Sequence, residues 1–159
     1  PLALDADAHN CVAKQPEILL RKKAPIIITP HPGEMSRLTG LATPLVNAER
    51  QRVALDFAQK YGVVTVLKGA GTVIASPNGK VLVNPTGNSG MATGGSGDVL
   101  AGMTASILAQ GASAFSSAAA AVYLHGLAGD IAAEKYGKIS MLPTDLINCI
   151  PLAYKRCGF

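Results

Sequence analysis

The chain has 159 residues, of which 48% are hydrophobic and only 15% charged, and it carries a net charge of +4. That is enough length for one domain with its own core, and too apolar a composition for a disordered segment. No apolar run reaches the ~18 residues of a membrane-spanning helix, and nothing at the start reads as a secretion signal. The densest basic cluster, Arg21, Lys22 and Lys23, lacks the interleaved aromatic residues of a nucleic-acid patch. Cys11, Cys149 and Cys157 have neither metal-type spacing nor an even count, which fits reduced thiols in a cytoplasmic protein. No membrane, nucleic-acid or metal-cluster role is expected.

In chain order, Leu2–Leu4 reads as a buried strand already under way, so the chain is expected to be a fragment or a processed product. A helical region follows around Val12 to Lys22, interrupted or restarted near Pro16. Pro25–Thr29, "PIIIT", is a continuous apolar run of buried-strand type. Thr43 resembles an N-cap with Pro44 at the first helical position. The helix it opens runs to Tyr61 and stops at Gly62. Val63–Lys68 reads as another buried strand, and "TVIAS" and "KVLVN" on either side of "PNG" read as an antiparallel hairpin. The remainder is helical: "DVLAGMTASILAQ" to Gly111, a small-residue helix capped by Ser113, and a last short helix opened by Pro143 and Thr144. Alternation of strand and helix predicts an α/β fold, a mostly parallel sheet with helices packed on it, in a single domain spanning 1–159.

The chemistry-bearing stretches follow strands. "NPTGNSGMATGGSGDVLAG", Asn84 to Gly102, places "GGSG" at the start of a helix. Glycines there let successive N–H groups face one anion, and the helix start adds unpaired donors. It is not a P-loop, because no Lys-Ser/Thr pair follows, and it is not a dinucleotide fingerprint. Asp98 lies beside this cradle, where it either caps the helix or accepts a proton from a hydroxyl attacking a bound phosphoryl group. "TPHPGEM" brings His31, Gly33 and Glu34 to the carboxyl edge of the sheet, with helix capping as the plain role of Glu34. "KGAGT" brings Lys68, Gly69, Ala70, Gly71 and Thr72 to the same edge, or is a tight turn into the hairpin. "DAD", Asp5–Asp7, ends the first strand. Four polar strand ends at one edge form a stronger signal than any one of them.

These blocks resemble the NAD(P)H-hydrate dehydratases, a family of ribokinase-like fold. "GNSGMATGGSGDVLAG" is similar to the family's C-terminal motif, and "TPHPGEMSRL" and "VLKGAGTVI" are similar to two earlier blocks in the same order. The resemblance implies helices on both faces of the sheet and the absence of the N-terminal portion of the fold. It implies repair of hydrated NADH or NADPH. A nucleotide phosphorylates the added hydroxyl, and loss of phosphate restores the ring. By resemblance, Lys68, Gly69, Ala70, Gly71 and Thr72 line the adenine nucleotide. Asn88, Gly94, Gly95, Ser96 and Gly97 hold its phosphates. Asp98 contacts the hydrate and acts as base, and His31, Gly33 and Glu34 contact the hydrated dinucleotide. The histidine in "PHPGE" resembles the branch that uses ADP in preference to ATP, and magnesium is expected with the nucleotide. A homo-oligomer, a tetramer by resemblance, and a fused or separate epimerase partner are further implications. A ribokinase-like kinase of vitamin precursors and a truncated nucleotide-binding module without activity stay open as alternatives.

Overall fold

The computed structural model describes residues 1–159. Its five strands are β1 (Leu2–Leu4), β2 (Ile26–Ile28), β3 (Val64–Leu67), β4 (Val73–Ala75) and β5 (Val81–Val83), forming one sheet in that spatial order. β1, β2 and β3 are parallel, and β4 and β5 add antiparallel pairs. The helices are α1 (Asp7–Ala13), α2 (Pro32–Thr39), α3 (Thr43–Ala48), α4 (Arg50–Tyr61), α5 (Ser96–Ala109), α6 (Ala114–Tyr136) and α7 (Pro143–Arg156).

Strand side chains alternate between faces, and two cores result. Ile27, Val64, Val66 and Ile74 pack with Leu100, Ala121, Leu124 and Leu146 of α5–α7. Ile28, Leu67, Val73 and Ala75 pack with Met35, Val46, Val53 and Phe57 of α2–α4. Helices therefore cover both faces, as expected. Because two antiparallel steps restore the direction, β5 runs parallel to β3, and four strands end at one edge. That edge receives Asp5, the His31 loop, Lys68 and the long loop from Asn84 to Gly95.

Several local expectations are corrected. Leu2 is 50% exposed, because β1 is the outer strand of the five. The helix expected from Val12 begins at Asp7 instead and ends at Ala13. Pro16 then restarts the chain as a 3-10 turn over Pro16–Arg21, after a non-helical Gln15, because the proline ring disfavours α-helix in its predecessor. Ala42 caps α3, which moves Thr43 and Pro44 inside the first turn, where the missing proline N–H costs nothing. The single helix expected from Thr43 to Tyr61 breaks at Glu49. The break turns Arg50 toward the sheet, where its Nη2 donates to the carbonyls of Leu67 (2.9 Å) and Lys68 (3.2 Å). The last helix, α7, is 14 residues long rather than short. Gly62 stops α4 in the left-handed conformation, and the Ser113 hydroxyl accepts from Ser116 N–H at the start of α6, both as the sequence indicates. No helix is long and apolar enough to cross a membrane.

Candidate functional site

At the sheet edge, a cavity of about 540 Å³ opens between two walls. Lys68, Gly69, Ala70, Gly71 and Thr72 form one wall. The turn they make needs glycine, with φ of 140° at Gly69 and 62° at Gly71. The Thr72 hydroxyl closes it by donating to the Gly69 carbonyl at 3.0 Å, while Arg50 holds it from below. Ser96 and Gly97, the first two residues of α5, form part of the opposite wall. Helix starts carry unpaired N–H groups and partial positive charge, which suits an anion.

The cap of that helix is Gly95, at φ 96°, so Asp98 stands at the third helical position and is not the N-cap. Its side chain is exposed, one residue beyond the cavity wall. A carboxylate in a first helical turn is electrostatically favoured, and the capping role is removed from its possible duties. Gly97 has no left-handed φ. A Cβ added there would lie 3.5 Å from Lys68 Nζ and 3.9 Å from Asp5 Oδ2. This glycine therefore keeps open a space between the two walls and does not relieve the backbone.

The loop between β5 and α5 is braced by α6. Asp130 Oδ2 accepts from Gly87 N–H and Oδ1 accepts from the Asn88 amide, both at 2.9 Å. The second Asn88 N–H goes to the Gly129 carbonyl, and its oxygen accepts from Gly90 N–H. Asn88 lines the cavity, but both its amide hydrogens are engaged in closing the loop. Gly94 and Gly95 lie outside the cavity lining, so of the expected phosphate-loop residues the geometry brings Asn88, Ser96 and Gly97 to the cavity.

His31, Gly33 and Glu34 form a capping box at the start of α2. His31 Nδ1 accepts from the N–H groups of Gly33 (3.0 Å) and Glu34 (3.4 Å), and Glu34 Oε2 accepts from His31 N–H at 2.7 Å. With Nδ1 accepting, the proton of a neutral ring sits on Nε2, which lies 3.7 Å from Glu34 Oε2 in a side chain that is 52% exposed. Glu34 has the plain role anticipated for it and a second one besides. It is buried and lies 3.8 Å from Lys68 Nζ and 3.4 Å from His9 Nδ1.

Sequence reasoning named Asp5, Glu34 and Lys68 separately but missed His9 and the contacts that join them. Lys68 Nζ donates to Asp5 Oδ1 at 2.7 Å, and the Thr29 hydroxyl donates to the same oxygen at 2.8 Å. Burial opposes charge on Asp5, but the hydrogen bonds from Lys68 and Thr29 and the Lys68 charge outweigh it and hold its carboxyl below the usual range. Burial lowers the His9 pKa despite the adjacent Glu34 carboxylate. Ala6, between Asp5 and α1, takes φ 50°, a strained value for a residue with a side chain. That bend turns the chain from β1 into α1 beside the cluster. Donor atoms of Asp5, His9 and Glu34 lie within 4.8 Å of one another, the Lys68 ammonium standing beside both carboxylates. Hard carboxylate oxygens of this kind suit magnesium held jointly with phosphates and water. Asp5, Glu34 and Lys68 each carried a sequence signal as polar residues following strands, whereas His9 and the pairing of Lys68 with Asp5 carried none.

His125 of α6 was also missed. It is 9% exposed, lines the cavity, and its Nε2 lies 2.9 Å from the Ser96 carbonyl. Burial lowers its pKa to about 4, the Ser96 hydrogen bond opposing the shift and the Lys68 charge adding to it. The ring is therefore neutral near pH 7, with its proton on Nε2, donated to Ser96.

Comparison with known proteins shows the family. Residues 1–152 match the Carb_kinase family, described as NAD(P)H-hydrate dehydratase. The chain is 46% identical over 156 residues to a bifunctional NAD(P)H-hydrate repair enzyme of Moorella thermoacetica, covering 98% of this chain and 29% of that protein. The crystal structure of the ADP/ATP-dependent NAD(P)H-hydrate dehydratase of Bacillus subtilis, co-crystallized with ATP/Mg2+ and soaked with CoA, superposes with a TM-score of 0.85 at 35% identity, over 98% of this chain and 56% of that one. A ribokinase-like superfamily protein of Enterococcus faecalis superposes with a TM-score of 0.80 at 32% identity, over 97% and 52%. The chain thus spans between about a third and about half the length of these relatives.

Proposed function

The chain belongs to the NAD(P)H-hydrate dehydratase family, with its ribokinase-like fold, and from that premise we propose that it carries the nucleotide-binding and catalytic part of an ADP-dependent (S)-NAD(P)H-hydrate dehydratase. The observation that carries this reading is a single cavity at the sheet edge, lined by the segments that follow β3 and β5 and by the start of α5. "KGAGT" lies on one wall, the start of α5 on the other, and an exposed Asp98 next to Gly97.

The adenine nucleotide lies between these walls. The N–H groups at the start of α5 and the Lys68 ammonium take its terminal phosphate, and Gly97 leaves the space that the phosphate needs. Asp98 takes the proton from the hydroxyl of the hydrated nicotinamide ring as that oxygen bonds to phosphorus. The phosphorus–oxygen bond to the rest of the nucleotide breaks, leaving AMP when ADP is the donor. The ring carbon–oxygen bond then breaks, phosphate leaves, and a proton lost from the neighbouring carbon restores the double bond. The half-exposed His31 ring faces the hydrated dinucleotide, while Glu34 fixes the backbone that carries it. Asp5 tethers Lys68, so the ammonium is in place before the phosphate arrives. Magnesium bound with the phosphates, facing Asp5 and Glu34, would offset charge that one ammonium cannot balance.

The test is recovery of the near-ultraviolet absorbance of NADH from its hydrate with ADP, with ATP and with neither. Nucleotide-dependent recovery is expected. No recovery with either nucleotide overturns the reading, and a phosphate ester that accumulates without NADH marks a kinase instead. The assembly, an epimerase partner and a cytoplasmic location belong to this proposal as family expectations.

A further inference from the structure

The buried histidine on α6 has no part in the reaction above, yet it grips the helix that does. Ser96 is the first residue of α5, and Gly97 and Asp98 follow it directly. Its carbonyl already faces the helix interior as the acceptor for the N–H four residues on, and His125 Nε2–H adds a second hydrogen bond at 2.9 Å to that oxygen. α6 is an unyielding platform for this grip. A Cβ on Gly126 or Gly129 would collide with Thr86 or Met91, so the helix lies directly against the loop leading to α5. His125, Gly126 and Gly129 are all buried.

We propose that His125 is a positioning residue for phosphate binding: through the Ser96 carbonyl it fixes the first turn of α5, so that the N–H groups of Gly97 and Asp98 meet the terminal phosphate already aligned. The inference rests on the nucleotide-binding reading above and deepens it by assigning a residue outside the three motif blocks. Preorganised donors act without reorganisation when the charge arrives. A helix start free to fray or rotate would have to be ordered by the ligand, at a cost in affinity. The cost falls on the phosphates, because the hydrogen bond that His125 makes goes to the start of α5, while the Lys68–Thr72 turn is held by Arg50 and by its own Thr72 hydroxyl.

Calorimetry with ADP and with adenosine, on the protein and two variants, tests this. His125→Phe keeps a ring but removes the donor, and His125→Gln keeps an N–H of similar reach. Expected is a loss of ADP affinity of about 3–10-fold in His125→Phe, the scale of one net hydrogen bond, with adenosine affinity unchanged and His125→Gln within about 2-fold of the parent. If His125→Phe does not fold, His125→Leu takes its place in the same comparison. Unchanged ADP affinity, equal losses for ADP and adenosine, or failure of glutamine to rescue each overturn the assignment. Absence of ADP binding by the unsubstituted protein removes the nucleotide-binding reading itself, a result distinct from the other three.

Discussion

Acidification isolates the energetic weight of His125. The ring titrates near 4 in the folded protein, against 6.5 for an unperturbed histidine. Between those values the unfolded chain binds a proton that the folded chain refuses. Stability is therefore complete above pH 6.5 and falls as pH drops from 6.5 toward 4. At 1.36 kcal/mol per pH unit over that window, the loss is about 3 kcal/mol, or roughly 6–12 °C in melting midpoint for a domain of this size. Asp5 adds nothing in this range. Its carboxyl is held below the usual value, so its contribution persists until pH falls beneath the ordinary carboxylate range. His9, also depressed by burial, weakens the fold in the same direction as pH falls below the ordinary histidine range. The informative quantity is thus the difference between the protein and His125→Gln, measured as melting midpoint from pH 7.5 to 4.5. The variant should melt at a midpoint that depends less on pH by about the amount above. Parallel pH profiles for the two proteins would refute the view that burial keeps this ring neutral.

Three further outcomes are expected. Asp98→Asn should lower NADH recovery by about 10²–10⁴ while ADP affinity holds, and because the side chain is exposed the lost helix-end charge should cost no more than about 1 kcal/mol; a near-parental rate would discard the proton-acceptor role. Gly97→Val should abolish ADP binding measured by calorimetry, since its branches fill the space beside Lys68 Nζ, 3.5 Å from the new Cβ, and unchanged affinity would move the phosphates elsewhere. ADP should support faster repair than ATP in a side-by-side rate comparison, and a clear preference for ATP would reverse the expectation drawn from "TPHPGEM".

The elements were legible where their signal is local. Leu2–Leu4, the hairpin about Pro77–Gly79, the stop at Gly62 and the Ser113 cap all stand where composition and turn chemistry put them. The edge that gathers the site was legible too, because polar residues after buried strands recur at four points. What escaped was held by contacts distant along the chain. Lys68 and Asp5 are 63 positions apart, His125 and Ser96 are 29 apart, and Gly87 and Asp130 are 43 apart. No periodicity announces such pairs. The break at Glu49 belongs with them, since Arg50, the residue that follows it, bonds carbonyls 17 and 18 residues later.

The glycines between Gly87 and Gly97 look alike in sequence but serve separate demands. Gly95 takes a left-handed φ of 96° to turn the chain into α5, a backbone requirement that any side chain would strain. Gly90 sits against the Lys138 backbone, where a Cβ would approach its carbonyl oxygen to 2.5 Å, so its smallness is a packing requirement. Gly97 has neither constraint: its backbone is helical, and a Cβ would meet only ordinary contacts with Lys68 and Asp5. A glycine near the start of a helix, without strain or crowding to explain it, costs about 1 kcal/mol relative to alanine if the position is treated as interior. Nothing in the folded chain offsets that cost. The compensation must come from what enters the space, and the groups around that space are the Lys68 ammonium with its Asp5 partner, a helix start and the Asp98 carboxylate one residue on. An anion with a reacting hydroxyl beside it would use the ammonium, the helix start and the Asp98 carboxylate together, as the proposed reaction requires.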